Sequence, residues 1–252
     1  MVERALSFGS VAAAYERFRL GYPDELVDAV LEYARRPVRT ALEVGSGTGK
    51  ATRVFAARGV AVTASDPDEG MLAELRGHVP DTVTTVRGAF EDLPLTTAYD
   101  LVFAAASFHW TKPEGRWPRV AALLEPGGVF ASFGGAPHLV DADLDAAVRA
   151  AREPYVADDD VRSPDGTPRT SPMQWPGTEL EASELFTDVR QVVIERRTTM
   201  PAEEYVGHLS TVSAYLLLTP TDRTTVLTRV LEVLPEQVAV DADITVHLAR
   251  TL

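Results

Sequence analysis

The sequence predicts an α/β fold in which helices cover both faces of a doubly wound, mostly parallel sheet. Short apolar segments alternate with amphipathic ones from residue 23 to residue 133, which is the rhythm of strand–helix units. The first apolar segment ends in the closely spaced glycines Gly45, Gly47 and Gly49, which predicts a strand–turn–helix unit. The second ends in Asp66, just before a proline.

Each element follows from its local pattern. The first helix is expected between Pro23 and Pro37, because apolar residues such as Leu26 and Val30 recur at helical spacing. The strands predicted next are residues 38–44, 60–64, 83–87, 100–104 and 128–133, with helices at residues 48–58, 67–77 and 113–124.

The alternation stops at Gly134. Residues 136–177 combine a predicted helix at 143–152 with an acidic, proline-rich stretch that begins at Asp158, and we interpret them as a lid or an insertion. Strand patterns return at residues 189–194 and 238–248, with helical patterns at residues 202–218 and 220–234 between them.

The composition argues against several classes of protein. There are 24 basic and 37 acidic side chains, and the net charge of −13 would repel nucleic acid and anionic membranes. The absence of cysteine excludes disulfides, thiolate zinc sites and a cysteine nucleophile. No apolar run approaches the roughly 20 residues that span a bilayer, and no signal-peptide core is visible, so we expect a cytoplasmic location. We interpret Asp158, Asp159 and Asp160 as a solvated loop and expect no metal.

The glycine-rich turn at residues 43–49 (EVGSGTG) suits a nucleotide-like ligand, because glycines let backbone amides approach it closely. A dinucleotide fingerprint requires glycine where this chain has Lys50. A P-loop requires glycine at Val44 and Ser or Thr at Ala51. The acid Glu43 instead favours a ligand with an amino acid end, and the alternative is a tight turn without a ligand.

Asp66 lies 23 positions after Glu43, at the end of the second predicted strand. An acid at this place accepts hydrogen bonds from the hydroxyls of a ribose. The alternative is that Asp66 caps the helix that follows Pro67.

Five segments of the chain, in their order, resemble the class I S-adenosylmethionine-dependent methyltransferases, particularly the small-molecule branch similar to trans-aconitate and ubiquinone-type enzymes. The resemblance spans residues 8–133. Its motifs are residues 42–49 (LEVGSGTG), 65–72 (SDPDEGML), 88–95 (GAFEDLPL), 99–102 (YDLV) and 124–128 (LEPGG).

The resemblance implies a Rossmann-like, seven-stranded fold that transfers a methyl group from S-adenosylmethionine to a small-molecule acceptor and releases S-adenosylhomocysteine. We expect one domain over residues 1–252: an N-terminal helical cap (1–36), a cofactor-binding half (37–134), and a lid or substrate-binding region with the last strands (135–252). A monomer or homodimer is expected. An S-adenosylmethionine-bound cyclase or isomerase, or a non-catalytic binding module, remains an alternative because a fold does not guarantee its chemistry.

The resemblance also implies which residues bind the cofactor. Gly45 and Gly47 face its methionine portion, Asp66 its ribose, and the cap residues Tyr15 and Arg19 its carboxylate. The other residues expected around it are Glu43, Ser46, Pro67, Met71, Ala89, Phe90, Glu91 and Ala105. Many relatives have Asp at the position of Ala89, so adenine recognition here is expected to depend more on the backbone and on packing.

Two histidines are candidates for a role at the acceptor site. His109 follows the fourth predicted strand, and a general base at this place would help a hydroxyl or amine acceptor. The alternative is that His109 packs the pocket wall or contacts the cofactor. His208 lies on a predicted helix that would line the acceptor site, and the alternative is an ordinary helix residue.

Overall fold

The computed structural model describes residues 8–156, 163–168 and 170–252, and the acidic run at Asp158, Asp159 and Asp160 lies outside them. The chain forms two compact units. The large unit contains the described residues of Gly21–Gly134, Arg162–Ile194 and Thr245–Leu252, and the small unit contains those of Met1–Leu20, Gly135–Val161 and Glu195–Ile244. The expected single domain with segments 1–36, 37–134 and 135–252 stays a prediction.

The described residues form strands, α-helices and three short 3₁₀-helices. The strands are β1 (Thr40–Val44), β2 (Ala61–Asp66), β3 (Thr84–Arg87), β4 (Tyr99–Ala105), β5 (Leu124–Gly134), β6 (His138–Leu139), β7 (Phe186–Ile194), β8 (Arg197–Pro201), β9 (Gln237–Asp241) and β10 (Ile244–Thr251). The helices are α1 (Ala12–Phe18), α2 (Asp24–Ala34), α3 (Lys50–Ala57), α4 (Glu69–Arg76), α5 (Arg116–Ala122), α6 (Ala142–Arg152), α7 (Gly177–Glu181), α8 (Ala202–Ser210), α9 (Ser213–Leu216) and α10 (Pro220–Val233). The 3₁₀-helices are Gly9–Val11, Phe90–Asp92 and Phe108–Trp110.

The large unit is built on a seven-stranded sheet in the order β3-β2-β1-β4-β5-β10-β7. Ala41 of β1 lies opposite Val62 of β2 and Leu101 of β4, and both pairs of strands are parallel. β4 and β5 are also parallel, whereas β10 runs antiparallel to β5. The predicted α/β fold with a mostly parallel sheet is confirmed.

The central strands are apolar on both faces because helices cover both faces of the sheet. In β4, Leu101 and Phe103 are fully buried, and the ring centroid of Phe103 lies 4.5 Å from that of Phe55 in α3. Burying a phenylalanine of this kind contributes about 1.5–3 kcal/mol. Because β1, β2 and β4 are parallel neighbours, their carboxyl ends lie at one edge of the sheet, where ligands of such folds bind.

The small unit is built on a three-stranded antiparallel sheet in the order β6-β9-β8. Its core includes Val148 of α6, Tyr205 of α8, Val226 of α10 and Val240 of β9. In α8, a side chain at Gly207 would collide with the ring of Phe18, so this glycine lets α1 pack closely on α8.

The structure corrects two predicted elements. The strand predicted at residues 238–248 is two strands, β9 and β10, which belong to different sheets. They separate at Ala242 and Asp243, where the backbone amide of Ala242 donates to Arg196 O and the Asp243 carboxylate accepts from Arg196 N. The helix predicted at residues 202–218 is also two, because the Thr211 hydroxyl bonds to His208 O and Val212 is extended.

Two kinds of feature are absent from the described ranges. Within them, no helix combines the length and the apolar composition needed to cross a membrane. The same residues contain no group of three or more His, Asp or Glu side chains placed to hold a metal ion. The expectation of no metal stays a prediction, since the acidic run at residues 158–160 is not among the described residues.

Candidate functional site

The glycine-rich turn connects β1 to α3, and each of its three glycines has a positive φ, which a residue with a side chain adopts at a cost. Gly45 also lies against Ser107, since an added Cβ would come 2.6 Å from the Ser107 Cβ. Gly49 lies against Leu75 in the same way, at 2.8 Å from its Cγ. At Gly47 an added Cβ would meet no atom within 4 Å, so the turn is open on that side.

Glu43 is the last residue but one of β1 and is only 1% exposed. Thr52 Oγ1 in α3 donates a hydrogen bond of 2.5 Å to Glu43 Oε2. Burial raises the pKa of the Glu43 carboxyl to about 8, because removing a carboxylate from water disfavours its charged form. Within the described residues, Glu43 Oε1 is buried without a hydrogen-bond partner, and so is Ser46 Oγ.

Asp66 ends β2 beside the glycine-rich turn and is 8% exposed. Its Oδ2 accepts a hydrogen bond of 2.9 Å from Gly47 N, and its Oδ1 accepts one of 2.9 Å from Asp68 N. Burial raises the pKa of Asp66 to about 6, although both hydrogen bonds favour the charged form. Asp66 is not the cap of α4, since the N-cap is Asp68, whose Oδ1 accepts from Gly70 N at 2.8 Å.

The residues expected around the adenine lie after β2 and after β3. Pro67 precedes α4, and Met71 is buried within it. Ala89 caps the 3₁₀-helix Phe90–Asp92, in which Phe90 is buried. Arg119 of α5 fixes this helix by donating a 2.7 Å hydrogen bond from Nε to Phe90 O.

The segment after β4 carries the remaining candidates of the large unit. Ala105 ends β4 and is partly buried. Ser107 donates from Oγ to Val44 O, which ties this segment to the end of β1. His109, also partly buried, has its ring centroid 4.7 Å from that of Trp110. Lys112 N donates to Glu91 Oε1 at 2.6 Å.

Sequence reasoning missed Ser107. It is a small residue two positions after the end of β4, and the signal that identifies it is the need for a small partner opposite Gly45 at the same sheet edge.

The structure groups Tyr15 and Arg19 with the small unit. The Arg19 guanidinium donates from Nε to Thr211 Oγ1 at 2.8 Å and from Nη2 to Thr211 O at 3.1 Å, and it lies 5.1 Å from the Tyr15 ring centroid. In the same unit, burial lowers the pKa of His208 to about 3, with a further contribution from Arg19, so this histidine is neutral. The contacts of Tyr15 and Arg19 with a cofactor stay a prediction.

Part of the large unit is similar to a known family. The sequence model of the methyltransferase domain family matches residues 42–132, from β1 into β5, which includes the glycine-rich turn, Asp66 and His109. Residues 42–132 are therefore similar to a methyltransferase domain. This family uses S-adenosylmethionine as the methyl donor.

Two curated relatives that are named as methyltransferases are also similar to part of the chain. An uncharacterized methyltransferase of Mycobacterium tuberculosis (strain H37Rv) is 43% identical over 127 residues, which are 50% of this chain and 51% of the relative. The trans-aconitate 2-methyltransferase of Delftia acidovorans is 36% identical over 98 residues, 37% of each chain. The matched segment thus spans about half the length of the first of these relatives.

Solved structures extend the likeness beyond the methyltransferase domain. A putative type II methyltransferase from Anaeromyxobacter dehalogenans is similar over 92% of this chain and 98% of its own, with a TM-score of 0.64 and 26% identity. A putative methyltransferase from Bacillus halodurans has a TM-score of 0.51 at 16% identity, with 89% of this chain and 97% of its own chain covered, and shares the fold.

Proposed function

We propose that this protein transfers the methyl group of S-adenosylmethionine to a small-molecule acceptor, as a biosynthetic tailoring step, and releases S-adenosylhomocysteine. The observation that carries the proposal is the pair of buried carboxyl groups at the carboxyl ends of β1 and β2. Glu43 has one oxygen without a partner among the described residues, and Asp66 is hydrogen-bonded to the amide of the open glycine, Gly47.

The turn fits the amino acid end of this cofactor. An ammonium group would supply the donor that Glu43 Oε1 lacks, and the Ser46 hydroxyl would bond to a carboxylate. Gly47 offers a side without a Cβ, where a ligand approaches the backbone. Gly45 and Gly49 are already explained by Ser107 and Leu75, so the open side of Gly47 is the part of the turn that points to a ligand.

Asp66 is suited to the ribose. Each carboxylate oxygen accepts one backbone hydrogen bond and keeps a second lone pair for a hydroxyl donor. These bonds hold the carboxylate in place before the ligand arrives, which lowers the entropic cost of binding. We assign the adenine to the surface formed by Pro67, Met71 and the segment from Ala89 to Glu91.

The bound cofactor supplies a methyl group on a positively charged sulfur, which is activated for displacement. The chain therefore needs mainly to align the acceptor and to exclude water. For a hydroxyl or amine acceptor, His109 would accept the proton, since it follows the carboxyl end of β4 at the same sheet edge. For an acceptor that is already ionised, no base is required.

We propose further that the acceptor is a small molecule rather than a nucleic acid, because a chain with a net charge of −13 repels phosphate backbones. The acceptor would be methylated at oxygen, nitrogen or carbon. A cytoplasmic location and a monomeric or homodimeric state belong to the same proposal. The name of the relative from Delftia acidovorans makes trans-aconitate one acceptor to include in a screen.

Calorimetry with S-adenosylhomocysteine tests the cofactor half of the proposal. We expect binding by the wild type, a loss of affinity of ten-fold or more in Asp66→Asn, and unchanged affinity in Asp81→Asn, whose side chain is exposed. Equal affinity in all three proteins would contradict the assignment of Asp66.

Incubation with methyl-labelled S-adenosylmethionine and a panel of acceptors tests the transfer half. Transfer adds the mass of one methyl group to the product, whereas a cofactor-dependent cyclase or isomerase leaves the label on the cofactor. Cofactor binding without a labelled product from any acceptor would count against the proposed function.

A further inference from the structure

Arg116 is buried in the large unit in a place that does not favour a cation. It is the first residue of α5 and is 2% exposed. The N-terminus of a helix carries a partial positive charge, so a cation there is repelled. Burial also lowers the pKa of the guanidinium from its ordinary value.

The ionic partner of Arg116 does not offset this cost. Arg116 Nη1 lies 3.5 Å from Glu179 Oε2, and the Glu179 side chain is 28% exposed. The same oxygen accepts a shorter, 2.8 Å hydrogen bond from Trp117 Nε1. Arg116 Nε is buried without a hydrogen-bond partner among the described residues. A well-packed apolar side chain of similar volume is often as stable as a buried ion pair, or more stable, so stability alone does not explain an arginine here.

Arg116 contacts the segment that follows β4. Its Nη2 donates a 2.6 Å hydrogen bond to Thr111 O, directly after the 3₁₀-helix Phe108–Trp110. Its guanidinium carbon lies 5.3 Å from the Phe108 ring centroid and 5.2 Å from that of Trp175. A planar cation of this kind stacks on aromatic rings and directs its donors in fixed directions, which lysine does not.

The held segment is also tied to the glycine-rich turn. Ser107 bonds to Val44 O and fills the space beside Gly45. Thr111 donates from Oγ1 to Phe108 O at 2.7 Å, which closes the 3₁₀-helix. His109 lies between these two attachments, so a shift of Thr111 moves His109 and Ser107 together.

We propose that Arg116 is a positioning residue for the methyl-transfer site: it holds residues 107–111 against the glycine-rich turn and so fixes His109 and the position of the turn. The inference rests on the proposed function of this site. Its effect on the site is assigned to its contacts with Thr111 and Phe108.

The decisive variant is Arg116→Met, which keeps an apolar filling between Phe108 and Trp175 and removes the donor to Thr111 O. We expect a melting temperature equal to or above that of the wild type and at least a ten-fold loss of affinity for S-adenosylhomocysteine. Spectra of protein labelled with ¹⁵N-histidine, in which His109→Gln identifies the His109 signal, should show that signal displaced. Those of His208 and His247 should be unchanged.

The matched control is Arg149→Met, which removes an exposed arginine from its ion pair with Asp145 and should change neither readout. Arg116→Lys retains a charge and one donor for Thr111 O, so it should recover part of the affinity and of the His109 signal. If Arg116→Met does not fold, the affinity and the His109 signal of Arg116→Lys test the inference in its place.

Wild-type affinity with an unmoved His109 signal in either Arg116 variant would overturn the inference. A wild type that does not bind S-adenosylhomocysteine would instead contradict the proposed function, and the position of the His109 signal would still test the role of Arg116.

Discussion

The stability of the large unit should depend on pH through Glu43. The folded-state pKa of about 8 lies above the ordinary 4.5, because the carboxyl is fully buried. A raised pKa means that folding favours the protonated form, so its contribution is complete below pH 4.5 and is lost as the pH rises through about 8. At ~1.36 kcal/mol per unit, the whole effect is roughly 5 kcal/mol, of which roughly 3 kcal/mol falls between about pH 5 and pH 8.

Glu43→Gln isolates this contribution. Glutamine keeps an oxygen that accepts from Thr52 Oγ1 but has no charge to bury. The free energy of unfolding of the wild type minus that of Glu43→Gln should therefore fall by about 3 kcal/mol from pH 5 to pH 8. All three tryptophans of the sequence, Trp110, Trp117 and Trp175, belong to the large unit, so urea unfolding followed by their fluorescence reports on that unit.

The control variant is Glu184→Gln, which changes an exposed glutamate of the same unit. The difference in free energy of unfolding between this variant and the wild type should stay constant with pH. A difference between the wild type and Glu43→Gln that is also constant over this range would refute the reasoning. Ligand binding provides a second check: if a cofactor ammonium contacts Glu43, calorimetry in buffers of different ionisation enthalpy should detect proton release near pH 7.

Three further outcomes are expected. Gly45→Ala should destabilise the large unit by about 1–3 kcal/mol because of its overlap with Ser107, whereas Gly47→Ala should cost about 1 kcal/mol; both should weaken S-adenosylhomocysteine binding, and equal stability of the two variants in urea unfolding would contradict the packing argument. Affinity for S-adenosylhomocysteine should decline as the pH falls through about 6, where Asp66 becomes protonated, and a calorimetric pH series that shows the same decline in Asp66→Asn would assign it to another group. His109→Gln should lower kcat by about 10²–10⁴-fold for a hydroxyl or amine acceptor, and an unchanged kcat with such an acceptor would remove its role as a base.

The parallel sheet could be predicted because its signals are local. Alternating apolar segments, the glycines of the turn and the acid after β2 are all visible in the sequence. The sequence left the role of Asp66 open between ribose binding and helix capping. The structure excludes capping, because α4 begins three residues after Asp66, at Glu69, and Asp68 provides the cap. The sequence Asp66-Pro67-Asp68 offers two carboxylates that are suited to cap a helix. Which of them is the cap depends on where the helix begins, and that depends on which backbone amides the fold leaves unpaired.

Other features depend on contacts between distant parts of the chain. Asp241 and Asp243 interrupt the apolar pattern beside residue 242, but they do not show that the segments before and after belong to different sheets. The pairing of Ala242 with Arg196 determines that division. Ser107 is important because it faces Gly45, and Arg116 because it lies between the rings of Phe108 and Trp175. A helix-forming segment with an arginine at its start ordinarily places that arginine in solvent, so the sequence contained no sign of a buried cation.

The antiparallel pairing of β10 with β5 also bears on how the large unit folds during synthesis. β5 is complete when the ribosome has added Gly134, but its neighbour on that side begins at Ile244, after all of residues 135–243. Throughout that interval β5 has an unpaired, apolar edge, which is the kind of surface on which nascent chains aggregate. Slow translation or a chaperone acting over residues 135–243 would therefore affect the yield of folded protein more than the same delay before residue 134.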